Sequence, residues 1–341
     1  MFWLLMSGVK TIEPDIWAVW SDYFSDWRFP AAIKFDPRKA DLFTLSRVKA
    51  YNKARHIKCS AAESLAILQI FCVFVQSVVL RISRVCRFAC DAILALGDLV
   101  ELLQASQHGQ ADPDIVRATV RRMLDQCLKA EWTRYMVPKF HWCIHFEHSL
   151  RRWGVALTCF VHERKHKLVK RYSQDVCNLA SYTRTELSEV LPQQLHDVVS
   201  PDAFGISCKL NRPIKVAKDK LSSFLHSAFG FPDGRYEAFE SNSARLSTRG
   251  VCTRRDVMLV RDEGRIVAGQ VWVFASFDSE TIALISFWRF KSFAGCHSVW
   301  EMRDQPELVP LHDALCAVTW CETAANAARI LVPYEYRVFY Q

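Results

Sequence analysis

Pro138-Lys-Phe-His-Trp-Cys-Ile-His145 and, past Gly154, Cys159-Phe-Val-His-Glu-Arg-Lys-His-Lys-Leu-Val-Lys-Arg171 frame the stretch that governs the reading of this chain. His141, His145, His148, His162 and His166 are five of its eleven histidines. Lys139, Arg151, Arg152, Arg164, Lys165, Lys167, Lys170 and Arg171 stand against only Glu147 and Glu163, so this segment carries six of the net charge of +8. Such clustering suits a phosphate-bearing partner, while a solvated lysine-rich face has the same composition.

On a helical wheel, residues 160–172 place Val161, Leu168, Val169 and Tyr172 on one side. Arg164, Lys167, Lys170 and Arg171 fall on the other, around Glu163. An ordinary surface pair of Glu163 with Lys167 at i,i+4 accounts for the glutamate at a few tenths of a kcal/mol. His162-Glu163-Arg164-Lys165-His166 also satisfies H-E-x-x-H, in which two histidines one turn apart bind zinc and the glutamate activates water. That pattern makes a zinc metallopeptidase one alternative, with Glu186 placed to supply a third ligand. Arg164 and Lys165 weigh against it, because the middle positions of a zinc-protease helix are uncharged and buried beneath the substrate cleft. His141, His145 and His148 share one face if their segment is helical, and Cys143 or Cys159 could join them. His141, His145, His162 and His166 are thus the candidate zinc ligands, against the alternative that the histidines pack on Trp142 and Trp153.

Lys139, His141, His145, Gly154, Phe160, Glu163, Lys165, His166, Lys167 and Lys170 together resemble the C-terminal part of transposases from eukaryotic CACTA-type DNA transposons. Weaker similarity runs upstream through His56-Ile-Lys-Cys-Ser-Ala-Ala-Glu63 to Gly8-Val9, covering roughly the first half of the chain. The resemblance implies part of a ribonuclease-H-like core with a helical insertion. Glu163 then corresponds to the last of three catalytic carboxylates, which in the intact family hold two divalent metals such as magnesium for phosphodiester transfer. Lys139, Arg164, Lys165, Lys167, Lys170 and Arg171 become the DNA-binding residues, contacting phosphates. DNA, other transposase chains and a nuclear location follow as expectations. The family's catalytic aspartate lies just before a Gly-Val like Gly8-Val9, whereas this sequence begins Met1-Phe-Trp-Leu-Leu-Met-Ser. A lone glutamate cannot hold two metals, so DNA binding without catalysis by this chain alone is the expectation, and no bound cofactor is assigned. A non-enzymatic interaction protein on the same fold is the remaining alternative.

At 341 residues with 50% hydrophobic and 23% charged content, the composition is that of a globular protein with a sizeable core. A pI near 8.8 permits a nucleic-acid partner without demanding one. Thirteen cysteines without a Cys-x-x-Cys pair read as reduced, buried thiols rather than a disulfide framework. Met1-Phe-Trp-Leu-Leu-Met lacks the basic flank of a signal peptide. Leu65 to Leu80 is interrupted by Gln69 and Gln76 and falls short of the roughly 20 residues of a spanning helix, so a buried helix is expected and no membrane partner.

Helical spacing predicts helices near Pro14 to Trp27, from Ala61 to Arg84 behind the capping box Ser60-Ala-Ala-Glu63, from Cys86 to Gln104, and from Asp112-Pro113 to Trp132. Ser173 to Leu191 reads as a further helix. Lys209, Arg212, Lys215, Lys218 and Lys220 form a second basic run. Residues 230–250, rich in Gly and Ser, read as a linker, after which period-two alternation predicts strands at Asp256 to Val260, Ile266 to Ala275, Thr281 to Phe290, His297 to Met302 and Ala328 to Val332. The expected architecture is α+β. A mainly helical transposase-derived region over residues 1–240 precedes a small antiparallel β-barrel-like domain over residues 250–341.

Overall fold

The structure is a computed structural model that describes residues 1–33, 42–82, 85–106, 109–155, 188, 192, 208–216, 238–246, 250–277, 280–324 and 326–340. Helices come first: α1 (Phe2–Val9), α2 (Ile16–Ser25), α3 (Leu45–Ala54), α4 (Ala61–Phe74), α5 (Leu80–Ile82), α6 (Arg87–Ser106), α7 (Pro113–Lys129), α8 (Pro138–Cys143) and α9 (Phe146–Trp153). A two-residue strand, β1 (Trp27–Arg28), follows α2. The later described chain is stranded: β2 (Lys209–Leu210), β3 (Ile214–Lys215), β4 (Ala238–Ser241), β5 (Ser243–Leu246), β6 (Gly250–Thr253), β7 (Val257–Asp262), β8 (Arg265–Phe277) and β9 (Glu280–Phe287). Then come β10 (Arg289–Ala294), β11 (His297–Glu301), β12 (Pro306–Pro310), β13 (Ala314–Val318), β14 (Trp320–Ala324), β15 (Ala327–Leu331) and a 3-10 helix over Tyr334–Tyr340. The fold is a mixed one of helices and antiparallel sheets.

Local chemistry sets the helix starts. The Ser60 oxygen accepts from the Glu63 amide at 3.2 Å, and the Glu63 carboxylate accepts from the Ser60 amide at 2.5 Å, which starts α4 with two otherwise orphaned donors satisfied. Asp112 accepts from the Asp114 amide at 2.7 Å while Pro113 occupies the first position of α7, where its missing N–H costs nothing. Between α4 and α5 the chain widens into a π turn at Val75–Val79, which periodicity does not reveal. Ala61–Ile82 as a whole is long and apolar enough to cross a membrane by length and composition. In this fold Ile67, Ile70, Phe71, Val73 and Phe74 bury themselves in the helical core. There Trp20 lies 5.5 Å from Phe2, 5.2 Å from Phe24, 5.5 Å from Phe43, 5.2 Å from Phe71 and 5.1 Å from Phe74, measured between ring centroids.

The strands form three sheets, ordered β1-β14-β15-β11-β10, β12-β9-β8-β4-β3 with β7 and β13 continuing from β8, and β2-β5-β6. The expected barrel is not formed, because the sheets are not closed. An edge can be protected by covering as well as by closure. Here β1, reaching over from the helical layer, pairs Trp27 with Cys321 and Arg28 with Trp320 and so covers the edge of β14. The expected linker also needs correction, since β4 and β5 lie inside it. Ser and Gly content suggested a loop, but Ala244 and Leu246 point inward at period two, and the Ser241 hydroxyl donates to the Ser243 carbonyl at 2.7 Å in the turn.

Layering follows from which side chains alternate. Met258 and Val260 of β7 join one apolar cluster with Phe274 and Ile285, whereas Val257 and Leu259 join another with Trp300, Trp320, Ala328 and Ile330. A strand covered on both faces reads as an uninterrupted apolar run, and Val257-Met-Leu-Val is one. The neighbouring Cys321 and Leu331 face the other way, into the helical core. Further ties cross between helices and strands: the Ala31 amide donates to Asp256 at 3.0 Å, Arg329 donates to the Tyr23 hydroxyl at 3.4 Å, and Arg28 stacks over Trp320 at 4.7 Å. Arg337 forms an ion pair with Glu101, both side chains being 8% exposed. Of the eleven described cysteines, all are free thiols and seven are buried.

His297 on β11 is 7% exposed, and its Nδ1 meets no partner among the described residues. Burial, and then the Arg329 and Arg337 charges, hold its pKa down at about 4. From pH 6.5 down to 4 the unfolded imidazole therefore takes up a proton that the folded one refuses. Stability should fall over that window by on the order of 3 kcal/mol. Urea unfolding at pH 7 and pH 4.5 measures the loss, which His297→Leu should largely remove; an equal loss in the variant would assign it to other groups.

Candidate functional site

The part of the His/Lys/Arg-rich stretch that the structure describes is the helix pair α8 and α9. Val137 is extended, and Pro138 starts α8 with its φ already set for a helix. The chain turns at Ile144 and His145, and α9 ends where Gly154 takes a left-handed φ of 71° and returns its amide to the Leu150 carbonyl at 2.7 Å. Gly154 is therefore required as a helix C-cap, where a side chain would be strained. Leu150 is buried and Phe140 and Phe146 pack on the helical core, which leaves the opposite side of both helices in solvent.

Lys139, His141, Trp142, His145, His148, Arg151, Arg152 and Trp153 are all exposed. The His141 and His145 rings meet edge to face at 5.2 Å. The turn at Ile144–His145 means that no single helix carries His141, His145 and His148, so their i, i+4, i+7 face is interrupted. Two imidazoles fall short of a structural zinc set, and among the described residues no group of three His, Cys, Asp or Glu side chains is placed to hold a metal ion. The expectation that Trp142 and Trp153 pack beneath the histidines also needs correction. Trp142 is 60% exposed and Trp153 54% exposed.

The bases divide by partner. Arg151 is tied down by Glu147 at 2.9 Å and Asp114 at 2.7 Å, and Arg117 shares both carboxylates at 3.4 Å and 2.7 Å, so this network fastens α9 to α7. Its exposed carboxylate Asp114 is held below the usual range, first by the Arg151 hydrogen bond. Arg152 lies over its neighbour Trp153 at 5.0 Å from the ring centre. Neither Lys139 nor Arg152 has an ion-pair partner among the described residues. Glu163, Arg164, Lys165, Lys167, Lys170 and Arg171 lie outside the described residues, as do His162, His166 and the expected helix from Ser173 to Leu191 apart from Ser188. In the second basic run, Lys209 and Lys215 sit on β2 and β3, with Arg212 at a left-handed φ of 50° between them. Lys218 and Lys220 lie outside the description.

Sequence reasoning missed the pairing of exposed tryptophans with exposed bases. No signal in the sequence reveals it, because exposure is set by which elements pack on α8 and α9. No protein-family model matches the chain, and neither a curated protein nor a solved structure shows significant similarity to it.

Proposed function

We propose that this chain derives from a CACTA-type transposase and binds DNA through phosphate contacts, weakly and with little preference for base sequence. In this reading the helical region corresponds to part of a ribonuclease-H-like core with its helical insertion. Residues 138–171 are the binding segment, and the chain works in the nucleus beside DNA and other transposase chains. The observation that supports it is the exposed side of α8 and α9, where Lys139 and Arg152 accompany Trp142 and Trp153. Bases that meet phosphates, interleaved with rings that bases of a nucleic acid can stack on, form a surface suited to a nucleic-acid strand. No metal-dependent step is assigned, because two-metal chemistry needs several carboxylates and the described residues bring no such group together.

Binding to a short DNA, both as a single strand and as a duplex, across a salt series tests the reading. Log affinity should fall linearly with log salt, and each of Lys167→Ala, Lys170→Ala and Arg171→Ala should reduce the slope by about one unit. Arg152→Ala should act likewise. An unchanged slope in the combined variant would show that these bases only solvate the surface.

A further inference from the structure

A cavity of about 600 Å³ opens among α1, α4, α6 and α8, away from the exposed side of the α8–α9 pair. Phe2, Ile67, Leu68, Ile93, Leu96 and Phe140 supply its apolar walls. Empty apolar space lowers stability in proportion to its volume, and water fills it only where several polar partners wait. The volume lies in the range of sites that enclose a small molecule.

Arg55 and His56 are among the cavity's polar lining residues, with Met1, Ser64 and Tyr135, and no carboxylate is among the described lining residues. Arg55 follows α3 in a left-handed conformation with φ 58°, and has no ion-pair partner among the described residues. The His56 Nδ1–H donates to the Ala54 carbonyl at 2.9 Å, which leaves Nε2 of the neutral ring an acceptor, so Arg55 is the group that can donate to an anion. Trp3 donates to Asn52 at 3.0 Å and holds the neighbouring wall in place. An apolar chamber with a cation at its rim is complementary to a ligand with an apolar body and one anionic end.

We propose that this cavity binds a single-chain aliphatic carboxylate, a medium-chain fatty acid, with its chain among Ile67, Leu96 and Phe140 and its carboxylate at Arg55. Each methylene placed in the cavity should tighten binding by about threefold to fourfold. Placing a carboxylate on an unpaired guanidinium adds charge-assisted hydrogen bonds that an alcohol of equal length makes more weakly.

Titration calorimetry of the full chain with octanoate, decanoate, dodecanoate, dodecanol and dodecyltrimethylammonium, each below its micelle concentration, tests this. Saturable binding should strengthen along the carboxylate series and favour dodecanoate over dodecanol and the cation. Arg55→Glu should weaken dodecanoate by tenfold or more and leave dodecanol nearly unchanged, and Leu96→Trp, which fills the chamber, should abolish both. If Leu96→Trp does not fold, the exposed Arg55→Glu substitution still decides the assignment. The proposal is overturned if none of these molecules binds, if the cation binds as well as the carboxylate, or if Arg55→Glu leaves dodecanoate affinity intact.

Discussion

Replacing Arg337 with methionine is expected to destabilise the protein at pH 9 by about 3–5 kcal/mol, among the largest losses available from one substitution, because there it strands the ionised Glu101 carboxylate in the interior. Glu101 and Arg337 join the middle of α6 to the 3-10 helix after the last strand, and the Arg337 Nε–H also donates to the Val332 carbonyl at 3.1 Å. Burial pushes the Glu101 carboxyl up to about 8 against the pull of the guanidinium. Since the folded value lies above the unfolded one near 4.5, the protonated carboxyl contributes stability at low pH that is lost as pH rises through about 8. The Arg337→Met loss should therefore be smaller at pH 5 than at pH 9, and Glu101→Gln should be milder than Arg337→Met. Guanidinium unfolding at the two pH values measures both. A loss below about 1 kcal/mol at pH 9 would mean that the buried pair has no role in joining the helices to the strands.

Trp20→Ala should cost a comparable amount, about 3–5 kcal/mol, by emptying the centre of the helical core. Trp20 is fully buried, and rings from α1, α2, α4 and the segment before α3 surround it. Those rings cannot all close on one small side chain without moving the helices that carry them. Its indole Nε1 has no hydrogen-bond partner among the described residues, so Trp20→Phe removes an unsatisfied donor together with volume and should lose much less than Trp20→Ala. Thermal unfolding of both variants compares the two. Equal losses would indicate that the indole makes a polar contact rather than acting as filler.

What the sequence revealed of the fold depended on the range of the interactions involved. Ser60 with Glu63 and Asp112 with Pro113 act within one helical turn, and the helices start where those residues predict. The period of Ile266 to Ala275 likewise indicated a strand, and β8 spans Arg265–Phe277. Closure of the strands was not legible, because it depends on which distant segment covers an edge. Two residues, Trp27 and Arg28, are too few to carry a periodic signal as a strand. Strands β4 and β5, which belong to different sheets, were concealed because Ser241 and Ser243, at the turn between them, are residues counted toward a linker. At the candidate site, spacing identified Lys139, His141 and His145 as neighbours, but not that Trp142 and Trp153 would be left in solvent. Exposure depends on which elements pack on α8 and α9, and three or four residues of spacing contain no record of that.

The pairing of β1 with β14 also has a consequence during synthesis. Trp27 is fully buried in the finished protein, yet its strand partner Cys321 is made roughly 290 residues later, an interval of about 15–60 s at ordinary translation rates. For that time the ribosome holds a helical layer whose aromatic face lacks its sheet, and chaperones have a surface to protect that the native molecule never presents.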